Sequence, residues 1–207
     1  MNSHTVMYCN CMEEVKRRLG LVLSVTDGHF STSHEDFDGE LVCLQLRKTL
    51  ELIAFGSLAA NKEKYAQTYS DFATHWNAKR LFAKLEKIHP QFYPQPVEFT
   101  PPDEHGGMHL LPVEDAFLTR DEFVTLYDKC SEVLHTWNPF RADPHVVNFG
   151  YSIRHWVERI QRLLAVHWMR LVDSEDIWLV YMQYPEDGKV HALTAKPADR
   201  AGDSETE

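Results

Sequence analysis

Apolar residues return at helical spacing along most of this chain. Met12, Val15, Leu19 and Val22 lie three and four positions apart and predict a helix over residues 9–23. Residues 24–39, SVTDGHFSTSHEDFDG, are rich in turn-formers and polar groups and read as a loop. Asp38 or Gly39 can then cap a second helix over residues 40–60. In it Leu46, Leu50, Ile53 and Ser57 share one side, and Leu44, Leu52 and Phe55 occupy another. A helix that is apolar on several sides must bury several sides, so this one is expected at the centre of its domain.

A third helix is predicted over residues 71–88, with a stripe of Phe72, Trp76, Leu81, Phe82, Leu85 and Ile88. It stops at His89–Pro90, because proline cannot continue the backbone hydrogen-bond ladder. Six of the ten prolines then fall between Pro90 and Pro112. The segment 90–118 has no helical period and is expected as an extended wrap, anchored by Phe92, Tyr93, Phe99 and Leu110, with a functional lid as the alternative. Phe123, Leu126, Tyr127, Cys130, Val133 and Leu134 predict a helix over residues 120–136, opened by a capping box of Thr119 and Glu122. Ile153, Trp156, Val157, Ile160, Leu163, Leu164, His167 and Leu171 predict a last helix over residues 150–172.

After Asp173 the period shortens to two. The run IWLVYMQY, a PEDG turn and KVHALTA predict a β-hairpin over residues 177–195. Residues 197–207 are polar and acidic and are expected as a disordered tail. The expected fold is mainly α: a helical bundle of about five helices with a C-terminal β-hairpin, in one domain over residues 1–196.

Charge narrows the partners. The 207 residues carry a formal net charge of -10. Broad attraction to phosphate needs a basic footprint, so DNA and anionic membranes are not expected partners. The longest apolar run is broken by Arg47, Lys48 and Glu51 and is too short to span a bilayer. No basic region followed by an apolar run opens the chain, so no secretory signal is read and a cytoplasmic location with reduced thiols is expected. Of the four cysteines, Cys43 and Cys130 sit inside apolar helical patterns. Cys9 and Cys11 offer too few ligands for a metal without distant help.

The stretch CLQLRKTLELIAFGSL places Arg47 and Glu51 one helical turn apart within an apolar helix. They are expected either as an interior or rim ion pair or as part of a site. His135 ends the 120–136 helix on the side of Asp128 and Ser131, where it can cap the helix through the dipole or face a cleft. His167, on an apolar face, is expected as a satisfied core histidine. His105 and His109 flank two glycines in a loop, a poor frame for a metal, so no metal or cofactor is expected. No phosphate-binding loop, dinucleotide fingerprint or nucleophile elbow occurs.

CLQLRKTLELIAFGSL resembles the long central helix of HEPN-like (higher eukaryotes and prokaryotes nucleotide-binding) bacterial helical domains, and LYDKCSEVLHTWNPF resembles a later helix that ends in His. The wider layout is similar to uncharacterised bacterial proteins of this length. The resemblance implies an α-helical bundle, often dimeric, acting either as a metal-independent ribonuclease in defence or mobile-element systems or as an inactive binding module. It implies a polar centre of Arg47, Glu51 and His135, with Asn138 and Tyr127 as binding residues beside it. The superfamily's Arg-x4–6-His motif has one counterpart here, Arg162 and His167, and residues five apart on one helix point about 140° away from each other. The leading expectation is therefore a non-catalytic protein that binds a protein partner, itself or a small ligand. RNA is a partner only under the alternative, in which His135 is the acid/base and Arg47 stabilises the phosphorane.

Overall fold

The computed structural model describes residues 3–68, 78–102, 104, 107–136, 140, 146–172 and 174–196. Among them six helices and five strands follow in the order α1 (Ser3–Thr26), α2 (Glu35–Ala60), α3 (Lys62–Thr68), α4 (Ala78–Ile88), β1 (Gln95–Phe99), β2 (Leu110–Pro112), α5 (Arg120–Val133), α6 (Ile153–Leu164), β3 (Val166–Arg170), β4 (Ile177–Tyr181) and β5 (His191–Ala195). The chain is mainly α, as its periodicity predicts.

α1 buries Tyr8, Met12, Val15, Leu19 and Val22, one stripe at spacings of three and four. It runs antiparallel to α2. Gly56 near the end of α2 faces Tyr8 and Met12, whereas Gln45 nearer its start accepts a hydrogen bond from Arg18 at 2.6 Å. A Cβ on Gly56 would stand 3.0 Å from the Met12 methyl carbon and 3.1 Å from the Tyr8 ring, so glycine sets how closely the helices approach. α2 also packs on α4 and α5 and is the central helix of the layer.

The start of α2 departs from expectation. It begins at Glu35, with His34 at the N-cap and no side-chain cap bond. Asp38 is not the cap. Its carboxylate reaches back to accept from Ser31 Oγ at 2.7 Å and Thr32 N at 2.7 Å. These two bonds hold its carboxyl below the usual range and fold the preceding loop onto the helix. The acidic first turn, Glu35, Asp36 and Asp38, suits the positive end of the helix dipole.

The larger correction concerns the β structure. The expected hairpin exists, in register from Ile177 opposite Ala195 to Tyr181 opposite His191. It is two strands of a five-stranded antiparallel sheet of order β2-β1-β3-β4-β5. A lone hairpin is marginal, and the chain supplies its neighbours from two places. The last helix ends at Leu164, not at 172, and residues 166–170 become β3. VHWMR satisfies both periods: His167 follows Leu164 by three, yet His167 and Met169 also alternate with Val166 and Trp168. Five paired residues on β4 decide for the strand. The proline-rich segment supplies β1 and β2, joined through Val97–Pro112, Glu98–Leu111 and Phe99–Leu110. Phe92 and Tyr93 anchor that segment in the core as expected, whereas Phe99 and Leu110 remain more than a third exposed.

The inner sheet face, including His167, Met169, Trp178 and Val180, is buried and joins the helical core. A second knot of rings lies under α4 and α5, where Phe82 stacks on Phe123 at 4.0 Å with Phe92 and Tyr93 edge-on. The Thr119–Glu122 capping box opens α5 as predicted. Glu122 does a second thing that no local pattern foretells: its carboxylate accepts from Arg159 of α6 at 2.7 Å. Burial raises the Glu122 carboxyl, and the Thr119 N–H and Arg159 outweigh it, so the group stays ionised. Residues 71–77 of the expected third helix, and the expected tail 197–207, lie outside the described residues. No helix among those described is long and apolar enough to cross a membrane.

Candidate functional site

α2 and α5 bring three of the expected site residues together. Arg47 Nε lies 3.3 Å from Glu51 Oε1, across one helical turn. The Tyr127 hydroxyl donates to the same Glu51 oxygen at 3.3 Å. The Arg47 guanidinium stands over the Tyr127 ring, 5.2 Å from its centroid. Arg47 and Glu51 are 26% and 19% exposed, at the rim of the core rather than inside it. A cation over an aromatic face contributes about 0.5–1 kcal/mol at such a site, comparable to the ion pair itself.

The electrostatics close this cluster on itself. Burial opposes the charge on Arg47, but Tyr127 and Glu51 outweigh it and hold the guanidinium protonated more firmly than usual. Burial pushes the Tyr127 phenol up, with Glu51 adding to the rise, so Tyr127 stays a neutral donor. One helical turn away the thiols of Cys43 and Cys130 share a hydrogen bond across the same seam, which raises the Cys130 thiol. The residue pairs Glu51–Tyr127 and Cys43–Cys130 run in opposite order along the two helices, so α2 and α5 are antiparallel.

His135 is the remaining expected site residue of the predicted 120–136 helix. It follows the end of α5, exposed, with its N–H donating to Glu132 O at 3.2 Å. Eight residues at helical rise place it roughly 12 Å beyond Tyr127 along the α5 axis. Helical side chains lean toward the N-terminus, so the Tyr127 ring leans away from it. The structure joins Arg47, Glu51 and Tyr127 by direct contacts, and His135 follows about two helical turns after Tyr127. Asn138 lies outside the described residues.

The remaining candidates separate as well. Arg162 is exposed on α6 and donates to Asp115 O at 3.2 Å, while His167 is sealed inside on β3. The two belong to different elements and face opposite ways. Cys9 faces the core and Cys11 is half-buried; two residues on a helix differ by about 200°, so the thiols cannot share an ion. Of the glycine-flanked histidines, His105 lies outside the described residues. Among the described residues no group of three or more His, Cys, Asp and Glu is gathered that could hold a metal.

Two features went unread in the sequence. One is a buried polar pair, Tyr8 and His167, whose oxygen and Nε2 are 2.5 Å apart. The other is a cleft of about 520 Å³ between α1, the end of α6 and the residues after β4. Leu19, Leu23, Leu164 and Met182 line it, with Lys16, Gln161 and Gln183 as polar groups. Gly20 sits in this wall. Glycine inside a helix costs about 1 kcal/mol relative to alanine, and a Cβ here would meet nothing within 4 Å. Packing does not require the glycine, and its bare position widens the cleft. Gly20→Ala is accordingly expected to raise stability by about 1 kcal/mol, roughly 3 °C in melting temperature. A fall in melting temperature would mean that the helix needs glycine for a reason other than space. The only signal in the sequence was a lone glycine within an otherwise helical pattern.

Comparison of the chain with protein-family models, with curated proteins and with solved structures returned no match.

Proposed function

We propose that this chain is a non-catalytic, HEPN-like binding protein that takes a protein partner, a second copy of itself or a small ligand. The observation that carries this reading is the closure of the Arg47–Glu51–Tyr127 cluster, with His135 about two helical turns away. Metal-independent RNA cleavage needs an acid/base group and a cation within hydrogen-bond reach of one phosphate. Here the cation is engaged by a carboxylate and a phenol, and the imidazole belongs to a residue about two helical turns past that phenol. The likeness to HEPN-like helices rests on α2 and α5, and their antiparallel packing around this polar centre is consistent with it. Phe99, Leu110 and Leu193 are exposed on the outer sheet face, an apolar surface of the kind that partners cover. The net charge of -10 turns the reading away from nucleic acid.

The test is cleavage of RNA in metal-free buffer. The wild type is expected to leave RNA intact. Arg47→Ala is expected to destabilise the fold by about 1–2 kcal/mol, because it removes both the ion pair with Glu51 and the contact with the Tyr127 ring. Cleavage by the wild type, lost in both Arg47→Ala and His135→Ala at unchanged melting temperature, would overturn the reading in favour of the ribonuclease. Light scattering at micromolar concentration separates self-association from a foreign partner.

A further inference from the structure

The outer face of the sheet carries a row of rings. Phe99 stacks on Tyr181, with centroids 5.9 Å apart and planes at 16°. Tyr184 meets Tyr181 at 90° and 5.5 Å, and lies flat on His191 at 4.3 Å. The corner opens into a pocket of about 350 Å³ lined by Phe99, Met108, Tyr181, Tyr184, Pro185 and Glu186. We infer that this corner is a binding site for a small quaternary or methylated ammonium ion, held against the Phe99, Tyr181 and Tyr184 rings on the sides that their stacking with each other and with His191 leaves open, with Glu186 among the lining residues.

The chemistry follows from the rings. An aromatic face is the negative end of a quadrupole and attracts a cation within about 6 Å of the centroid. A methylated ammonium also offers apolar surface, which suits a wall of two tyrosines, a phenylalanine, a proline and a thioether. A bare ammonium is strongly hydrated and would lose more on entering. Glu186 supplies the opposite charge, and the net charge of -10 concentrates cations near the surface.

The walls are in place before any ligand arrives. Tyr184 N donates to Lys189 O at 2.8 Å, and Gly188 N returns to Tyr184 O at 2.8 Å. Gly188 has φ +66°, a left-handed conformation that glycine adopts without strain. The tight turn thus sets Tyr184 and Glu186, while β4 sets Tyr181 and β1 sets Phe99. Preorganised walls spare the ligand the cost of ordering them. The inference rests on the reading of this chain as a binding protein. RNA cleavage by the wild type would overturn that reading and leave the cation site to stand or fall by its own test.

The test titrates the whole chain with tetramethylammonium chloride and with choline chloride, followed by calorimetry or NMR shifts at low salt. Saturable binding is expected. The carbon isostere of choline, 3,3-dimethylbutan-1-ol, is expected to bind at least about tenfold more weakly, since it lacks the charge. Tyr184→Ala is expected to weaken choline by about tenfold and Tyr184→Phe by no more than about threefold, because the ring and not the hydroxyl is the wall. Phe99→Ala, on a different strand, must weaken it too; this guards against a mere loss of the hairpin turn. Glu186→Gln should weaken it about threefold, and added salt should lessen that difference. Equal affinity for choline and the alcohol would reduce the pocket to an apolar crevice and overturn the site. So would absence of saturable binding, or choline affinity unchanged in Tyr184→Ala. A change of oligomeric state in Tyr184→Ala with unchanged choline binding would assign the face to a second copy instead.

Discussion

Truncating Phe123 to alanine is expected to destabilise the protein by about 3–5 kcal/mol and to lower its melting temperature by roughly 10 °C. Phe123 is fully buried and stacks on Phe82 at 4.0 Å, with Tyr93 edge-on at 6.5 Å. The loss has two parts: the transfer free energy of the ring, and the cavity it leaves. The cavity cannot close easily, because its walls belong to three separate pieces of chain. Phe82 is on α4, Tyr93 is pinned by its hydroxyl to Leu118 O at 2.8 Å, and α5 is held at its start by the capping box and Arg159. Phe123→Leu, which refills most of the volume, should cost well under half as much. Urea unfolding of both variants measures this. A shift below about 1 kcal/mol for the alanine variant would show that the stacked rings do not hold α4, α5 and the proline-rich segment together.

The second large effect is a pH dependence centred on His167. Its Nδ1 lies 2.8 Å from Leu164 O, which can only accept, so Nδ1 carries the proton. Nε2 is then an acceptor, and the Tyr8 hydroxyl donates to it. Both groups are sealed: Tyr8 and His167 are each 0% exposed. Burial lowers the imidazole to about 4, against only a partial rise from the Leu164 carbonyl, and raises the Tyr8 phenol well above its usual range. The pair is neutral at pH 7. In the unfolded chain the same histidine takes up its proton near pH 6.5. The unfolded state therefore binds more protons below pH 6.5, and stability falls as the pH drops from about 6.5 toward 4. The loss amounts to about 1.6 kcal/mol between pH 6.5 and 5. Glu13, Glu14 and Glu122 also have lowered carboxyls, but their contribution is lost only at still lower pH. His167→Gln keeps a donor and an acceptor yet does not titrate, so its stability should be flatter over that window. Parallel curves for the two proteins would remove His167 as the cause. Tyr8→Phe adds a cost of about 1–3 kcal/mol at pH 7, since Nε2 is left without a donor.

Local patterns made much of the fold legible. α5 appears where its stripe and its Thr119–Glu122 box place it, because both signals act within one turn of chain. The stripe predicts α1 over residues 9–23, and the helix runs over Ser3–Thr26 because Thr5 and Tyr8 continue its buried face toward the N-terminus. The candidate site was half legible. Arg47 and Glu51 meet because i,i+4 is fixed by helix geometry. Tyr127 joins them only because α2 and α5 pack together, and His135 follows eight residues later, past the end of α5.

What the sequence determined by itself is therefore local: the helical stripes, the capping box, the Asp–Gly turn of the β4–β5 hairpin and an acidic surface. The tertiary structure decided everything that pairs distant segments. VHWMR could be the end of α6 or a strand, and five partners on β4 settle it. A proline-rich run with no period of its own becomes β1 and β2, because strand hydrogen bonds come from outside the segment. The Tyr8–His167 pair spans 159 residues. The ring corner gathers Phe99, Tyr181 and Tyr184 from two separate parts of the chain. Periodicity reports which face of an element is buried. It does not report what lies opposite, and that is where the polar core and both concavities are made.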